Sequence, residues 1–351
     1  MTKTIYLGKK PVGPDHPVYL IAEAGINHNG EIELAKKLIS AAKEVSADAV
    51  KFQSFQTERF ICKSALSAPH VDKELGVEGT FFDLLKKLEL TEEDHFTLHQ
   101  YATSLGIDMI STPFDERYVD LLDRLGVPFF KVASMDVDNL EFLKFIASKK
   151  KPMVVSSGMA FLSETAEALE TIFSAGNSQV ILLHCTSQYP PKMEEVNLKV
   201  IPTLQKAFPE VLIGYSDHTI GIHIPFAAAC MGAVLIEKHF TLDKNMPGPD
   251  QQVSGDVDEF KRLKAYLTDL YQAQGKGIKQ PTEGEREMKK SFRRSIVLSR
   301  PVKKGEILHR EHLTLMRPGT GISPKFLPQV LGRKIKRDAP VEHILSWQDL
   351  E

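Results

Sequence analysis

The chain of 351 residues carries 44 basic and 46 acidic side chains and is 42% hydrophobic, enough for one large domain or a large one with a small companion. Its net charge of −2 excludes a general attraction to nucleic acid or to an anionic membrane, so any basic site has to be local. Three scattered cysteines (Cys62, Cys185 and Cys230) without a CxxC pair exclude a disulfide framework and a thiolate zinc site.

The opening residues, MTKTIYLGKKPVGPDHP, hold no apolar segment of signal-peptide length, and no later run is long enough to cross a membrane. A soluble cytoplasmic protein is expected. Short apolar runs then recur: VYLIAEAG (18–25), AVKFQS (49–54), DMISTPF (108–114) and FFKVASM (129–135). Four more follow: PMVVSSGM (152–159), VILLHCTS (180–187), LIGYSDHT (212–219) and VLIEKHFT (234–241). Helix-like stretches lie between them. EIELAKKLISAAKEV, for example, places Ala35, Leu38, Ile39, Ala42 and Val45 on one stripe. Alternating strands and helices imply parallel pairing, and eight such units predict a (β/α)8 TIM barrel over residues 1–275. A doubly wound open sheet is the alternative.

Every run begins apolar and ends polar: Glu23; Lys51 and Gln53; Thr112; Lys131 and Ser134; Ser156; Thr186 and Ser187; Ser216 and His218; Glu237 and His239. In a barrel these ends meet at the C-terminal mouth, where barrel enzymes keep their chemistry. The stretch 55–90 is longer than an ordinary connection and reads as a lid or an extra helix. Residues 276–290, rich in Gly, Lys and Glu, read as a linker. Residues 291–351 read as a compact segment of short β-like runs and Gly/Pro turns, marginal in size for standing alone.

Two constellations carry chemistry. His218 and His239 end adjacent strands about 4.8 Å apart, so two inward imidazoles at equal height can hold one divalent ion. Two imidazoles with water and substrate oxygens suit Mn2+ first, with Co2+ or Mg2+ as alternatives, better than a closed zinc site. The competing reading is a pair of core histidines bonded to carbonyls. Lys51 and Lys131 form the second constellation. A lysine in a buried strand calls for an anion, and two of them can converge on a phosphate or carboxylate. Thr112, Ser134, Ser156 and Ser216 can add hydroxyl donors. The alternatives are ion pairs with Glu23 and Asp136, or a lysine Schiff base. The turns GINHNG, STPFD, SSGM, TSQYPP and MPGPD present Asn27, Tyr189 and Asp250, each a weak signal alone.

Taken in order, IAEAGINHNG, DAVKFQSF, STPFD, KVASMD, SSGM, LLHCTSQYP, GYSDHT and EKHFTLDKNMPGPD resemble the sialic acid synthase family, which condenses phosphoenolpyruvate with an N-acetylhexosamine. FRRSIV and RPGTGISP resemble its C-terminal SAF (antifreeze-like) domain, a small β-rich unit. The resemblance spans nearly the whole chain. It implies His218 and His239 as metal ligands, with Glu23 beside them as acid/base. It implies a phosphoenolpyruvate site of Lys51, Thr112, Lys131, Ser134, Ser156, Ser187 and Ser216. It implies amino-sugar contacts from Gln53, Asp136, Tyr189 and Asp250, with Arg317 reaching the N-acyl group from the partner subunit of a domain-swapped homodimer. Three departures stand out: Asp136 where a glutamate is usual, Ser187 where asparagine is common, and QQVS after MPGPD in place of HKAS. They bear on which sugar is accepted, N-acetylmannosamine or a 2,4-diacetamido-trideoxyhexose. Rival readings are a 3-deoxy-octulosonate or heptulosonate phosphate synthase, a metal-dependent hydrolase, and a non-catalytic sugar-binding relative.

Overall fold

The first element is a hairpin that composition did not predict. Strand β1 (Ile5–Leu7) pairs antiparallel with β2 (Lys10–Val12), and Ile5, Leu7 and Val12 join the main core. Lys10 reaches Asp48 at the start of the second barrel strand, 2.7 Å away, so the hairpin sits at the N-terminal end of the barrel. A computed structural model describes residues 3–65 and 80–351.

Runs without surface polarity can be covered on both faces, and the eight predicted runs fold that way. They form β3 (Tyr19–Gly25), β4 (Ala49–Ser54), β5 (Asp108–Pro113) and β6 (Phe130–Val132). The other four are β7 (Met153–Ser156), β8 (Val180–Cys185), β9 (Leu212–Asp217) and β10 (Leu235–His239). All eight belong to one parallel sheet in the order β5-β4-β3-β10-β9-β8-β7-β6. The end strands β5 and β6 pack side by side, which rolls the sheet into a near-closed barrel with helices outside. Helix Ile32–Glu44 buries the predicted stripe: Ala35, Leu38, Ile39 and Ala42 face the sheet. Among the described residues no helix is long and apolar enough to cross a membrane.

Several polar residues expected on strands lie just beyond them. Ser134 sits on a 3-10 turn, Ser134–Asp136, and Thr186, Ser187 and His218 follow the last residues of β8 and β9. The backbone at the mouth thus leaves the ladder before it delivers several of its polar side chains. That places them on turns whose shape other side chains must fix.

The chain divides into two units, Met1–Gly275 and Lys276–Glu351. The stretch 276–290, expected as a linker, is helical from Glu283 to Phe292. Thr282 and Glu285 form a reciprocal capping box there, a signal that outweighs the polar composition. In the second unit β11 (Ser295–Leu298) pairs antiparallel with β12 (Leu313–Met316), over a core that includes Ile296, Leu298, Leu308, Ile322, Ile335 and Leu345.

Of the stretch 55–90, expected as a lid or an extra helix, short helices Thr57–Phe60 and Phe81–Lys87 are described, and residues 66–79 lie outside the described residues. Phe55, Leu85, Leu88 and Ile26 form their own apolar cluster at this end of the barrel. Gly30 ties the cluster to the first mouth loop. Its φ is +78°, and a Cβ there would overlap the Lys87 carbonyl oxygen. Gly30→Ala should therefore destabilise the protein by about 1–3 kcal/mol from backbone strain alone. A chemical-denaturation midpoint unchanged from wild type would contradict this reading.

Candidate active site at the barrel mouth

A cavity of about 320 Å3 opens at the C-terminal ends of the strands. Its floor is built from charges. Lys51 projects from β4 between two carboxylates, 2.7 Å from Glu23 and 3.8 Å from Glu237, and donates to Thr112 Oγ1 at 3.0 Å. Lys131, on β6, lies 3.7 Å from Glu237 and donates to Ser156 Oγ at 2.7 Å. Ser216 donates to Glu237 at 3.1 Å. Strand register explains the arrangement: Glu23 stands opposite Lys51, and Glu237 opposite Ser216. All four charged groups are buried, none more than 5% exposed.

The alternative of an ion pair with Asp136 does not hold for Lys131, whose carboxylate neighbour is Glu237. Asp136 lies on the 3-10 turn, where Asn139 donates to it at 3.4 Å, and it is not part of the cavity wall. Arg317 belongs to the second unit; it is exposed and stacks over the Phe292 ring at 4.9 Å. The other thirteen predicted residues, including Gln53, Tyr189 and Asp250, line the cavity.

Burial and proximity shift these groups apart. Burial pushes the Glu23 carboxyl up to about 7, against the pull of the Lys51 ammonium, and the Glu237 carboxylate adds to the rise. Burial also acts to raise Glu237, yet Lys131 and Lys51 hold it below the usual carboxylate range. Burial lowers Lys131, whereas for Lys51 the two carboxylates outweigh burial and raise it. Of the two carboxyls, Glu23 is the one poised to exchange a proton near neutrality.

Next to this floor lie the imidazoles. The register Lys238↔Asp217 continues to bring His239 level with His218, and their ring centroids are 5.4 Å apart. Thr186 O lies 2.9 Å from His218 Nδ1, which places an N–H on Nδ1, so that in the neutral ring the lone pair is on Nε2. Asp250 lies 3.5 Å from His239 Nδ1, and the Tyr189 ring packs against both imidazoles. Among the described residues no group of three or more His, Cys, Asp or Glu side chains converges as metal ligands. Two imidazoles are the side chains here that could hold a metal, and so small a donor set would suit an exchangeable divalent ion and not a closed structural site.

Two hydroxyls of the same wall lie close to a backbone amide. Gly158 N–H donates to Ser134 Oγ at 3.0 Å, and a Cβ at Gly158 would collide with Ser187 Oγ and lie 2.8 Å from Ser134 Oγ. A side chain at this position would have to displace both hydroxyls.

Sequence reasoning missed three features. Glu237 stood out as a polar strand end beside the histidines and not as a partner of the lysines, although its position between two lysines makes it the hub. Cys185, buried on the cavity wall, lies 4.0 Å from both His218 Nδ1 and Ser187 Oγ. One side of the cavity is apolar, formed by Ile26, Phe60, Phe81, Leu85 and Phe114, with the Phe60 and Phe114 rings 4.3 Å apart. The aromatic residues in TERF, TFFDLL and STPF were the available signal.

The chain matches the NeuB family over residues 38–279 and the SAF domain over residues 293–351. The protein belongs to the NeuB family. This NeuB-family chain is 43% identical to the N,N'-diacetyllegionaminic acid synthase of Legionella pneumophila, over 98% of each chain. It is 36% identical to the human N-acetylneuraminate-9-phosphate synthase, covering 92% of this chain and 90% of that one. Among solved structures, an N-acetylneuraminic acid synthetase from Leptospira borgpetersenii superposes with a TM-score of 0.74 at 33% identity, covering 82% of this chain and 95% of the other.

The Glu23 shift gives a pH prediction. The folded chain holds this proton up to about 7, while the unfolded carboxyl releases it near 4.5. Between those values the folded state binds more protons, so stability falls as pH rises through the window. Relative to Glu23→Gln, which mimics the protonated acid throughout, the wild-type protein should lose on the order of 3 kcal/mol between the two pH values. Parallel stability–pH curves for the two proteins would show that Glu23 is ionised throughout.

Proposed function

We propose that the barrel mouth joins C3 of phosphoenolpyruvate to the aldehyde carbon of an open-chain N-acetylated hexosamine. Water adds at C2 and phosphate leaves by C–O cleavage, giving a nine-carbon 3-deoxy-2-keto acid. The observation that carries this reading is the pairing of a two-lysine floor with two imidazoles in one cavity. The names of the similar proteins, legionaminic, pseudaminic and sialic acid synthases, agree with it.

Lys51 and Lys131 would neutralise the carboxylate and phosphate of phosphoenolpyruvate, with Thr112, Ser134, Ser156, Ser187 and Ser216 supplying hydroxyl donors. Glu23 would take the proton from the water that adds at C2, a role for which its raised pKa suits it. Gln53, Tyr189 and Asp250 would orient the sugar hydroxyls. A divalent ion, Mn2+ foremost with Co2+ or Mg2+ able to substitute, would be held by His218 and His239 and would act as a Lewis acid toward the aldehyde. The apolar wall of Phe60, Phe81, Leu85 and Phe114 supports an acceptor whose far end is uncharged. We place the enzyme in the cytoplasm, where its phosphoenolpyruvate is made.

Charge supports pairing of two copies. Residues 1–275 carry 27 basic against 37 acidic side chains, and residues 276–351 carry 17 against 9. A basic small unit suits the acidic barrel of a second copy, and a domain-swapped dimer would bring Arg317 to the partner's sugar.

Phosphate release tests the reaction. With Mn2+ and phosphoenolpyruvate, turnover is expected for N-acetylmannosamine or a 2,4-diacetamido-trideoxyhexose and not for a 6-phosphorylated sugar. Chelation should abolish it and Mn2+ restore it. Lys51→Ala and Lys131→Ala should each raise the KM for phosphoenolpyruvate about 10- to 100-fold, the worth of a charge-assisted hydrogen bond. Failure to release phosphate with any acceptor would overturn the reading.

Mixing variants tests the swap. His218→Ala has a damaged barrel and Arg317→Ala a damaged cap; each alone should be severely impaired. In a swapped heterodimer one site receives a sound barrel and a sound cap, so co-expression should restore activity. Co-purified heterodimers no more active than the parents would remove the swap and leave the barrel reading intact.

A further inference from the structure

The two site-bearing strands are also joined on their other face. Side chains alternate along a strand, so the residues between the site residues point away from the cavity. In β9 and the turn after it, Asp217 lies between Ser216 and His218; in β10, Lys238 lies between Glu237 and His239. Asp217 and Lys238 face each other in register, and Lys238 Nζ meets Asp217 Oδ2 at 2.7 Å with both side chains fully buried.

The pair has further partners. Asp217 Oδ1 accepts from Thr219 N–H at 3.1 Å, Thr219 Oγ1 at 2.8 Å and the Tyr215 hydroxyl at 3.2 Å. Lys238 Nζ also donates to Thr219 O at 2.6 Å. The lysine stem runs past Gly255, whose added Cβ would come 3.3 Å from Lys238 Cε and 2.9 Å from the Phe260 ring. Gly255 in turn donates to His239 O at 2.8 Å.

Where these bonds fall matters more than their number. Strand β9 ends at Asp217, so His218 lies just past its last residue. Thr219, the next residue, has its N–H and its C=O held by the two members of the ion pair. A buried ion pair is weak evidence for stability, because desolvation offsets most of the attraction. Fixing a turn is a different task, and this pair does it on both sides of His218.

We infer that Asp217 and Lys238 are positioning residues that set the spacing of His218 and His239 from outside the cavity. The inference rests on the proposed role of the two imidazoles, and its test separates the two. Lys238→Met alone leaves a buried carboxylate without a counter-charge and should melt well below wild type. The double variant Asp217→Asn/Lys238→Met removes both charges at nearly constant volume and should recover most of that loss. Mn2+ affinity, measured on chelator-stripped protein from the resonance signal of free Mn2+, should still weaken about 10- to 100-fold in the folded double variant. Its kcat should fall about 100-fold, as for a small misplacement of a reacting group, while the KM for phosphoenolpyruvate stays within about threefold.

A double variant that folds and keeps wild-type Mn2+ affinity and kcat overturns the inference. So does one that fails to fold, or one that loses phosphoenolpyruvate affinity as much as kcat, because either shows a general structural role. His218→Ala is the control for the underlying reading. If it binds Mn2+ as tightly as wild type, the metal assignment fails, and the split between kcat and KM alone decides whether the pair positions the histidines.

Discussion

Two ammoniums and two carboxyls share one buried volume at the mouth of this barrel, and the rest of the site is arranged around that fact. In water such charges interact weakly; away from it they are both strongly coupled and costly to isolate. Lys51 is held between Glu23 and Glu237, while Glu237 also faces Lys131. With this connectivity the four cannot titrate independently. Glu237, with two ammoniums near it, keeps its charge, and Glu23, with one, is the carboxyl that burial can neutralise. The asymmetry makes one of two chemically identical side chains an ion-pair hub and leaves the other the more readily protonated. An anionic substrate would enter a site whose lysines are already ordered, so little side-chain freedom remains to be lost on binding.

The alternation of a β-strand lets the same few residues serve two faces. In GYSDHT, Ser216 and His218 look into the cavity while Asp217 looks out; in EKHF, Glu237 and His239 look in while Lys238 looks out. Inner residues bring donors and charge to the cavity. The outer pair fixes where the backbone goes once the ladder has ended. A one-residue slip in either strand would exchange these faces entirely, so register is the quantity both faces depend on. The parallel ladder between β9 and β10 and the buried pair specify it together.

Much of this was legible in the sequence because buried parallel strands have few ways to carry charge. Lys51 and Lys131 inside apolar runs had to have anionic partners, and the shared polar ending of eight runs indicated one mouth. What the sequence could not show was pairing across elements. Asp136 was the near neighbour of Lys131 in the chain, but the strand order places Glu237, more than a hundred residues on, beside that ammonium. The helix at Glu283–Phe292 was hidden by polar composition, and its capping box was the sign to read. The N-terminal hairpin was hidden by brevity: three-residue strands carry too little periodicity to register.

The three departures from the family pattern separate once they are placed in the structure. Ser187 is at the cavity, where its hydroxyl fills the space that a side chain at position 158 would need. Asp136 is off the wall, engaged with Asn139. Gln251 is fully buried; its amide donates to Asn27 O at 3.0 Å, and its carbonyl accepts from Thr241. Asn27 reaches across to Phe240 O and Ser254 Oγ, each at 2.9 Å, and Ser254 donates to Asp250 O at 2.6 Å. The glutamine therefore acts on the loop that presents Asp250 and not on a ligand in the cavity. Of the three, only Ser187 changes the wall itself. Differences in sugar choice arising at Gln251 would have to be transmitted through the position of Asp250, which a buried amide bonded at both ends helps to hold.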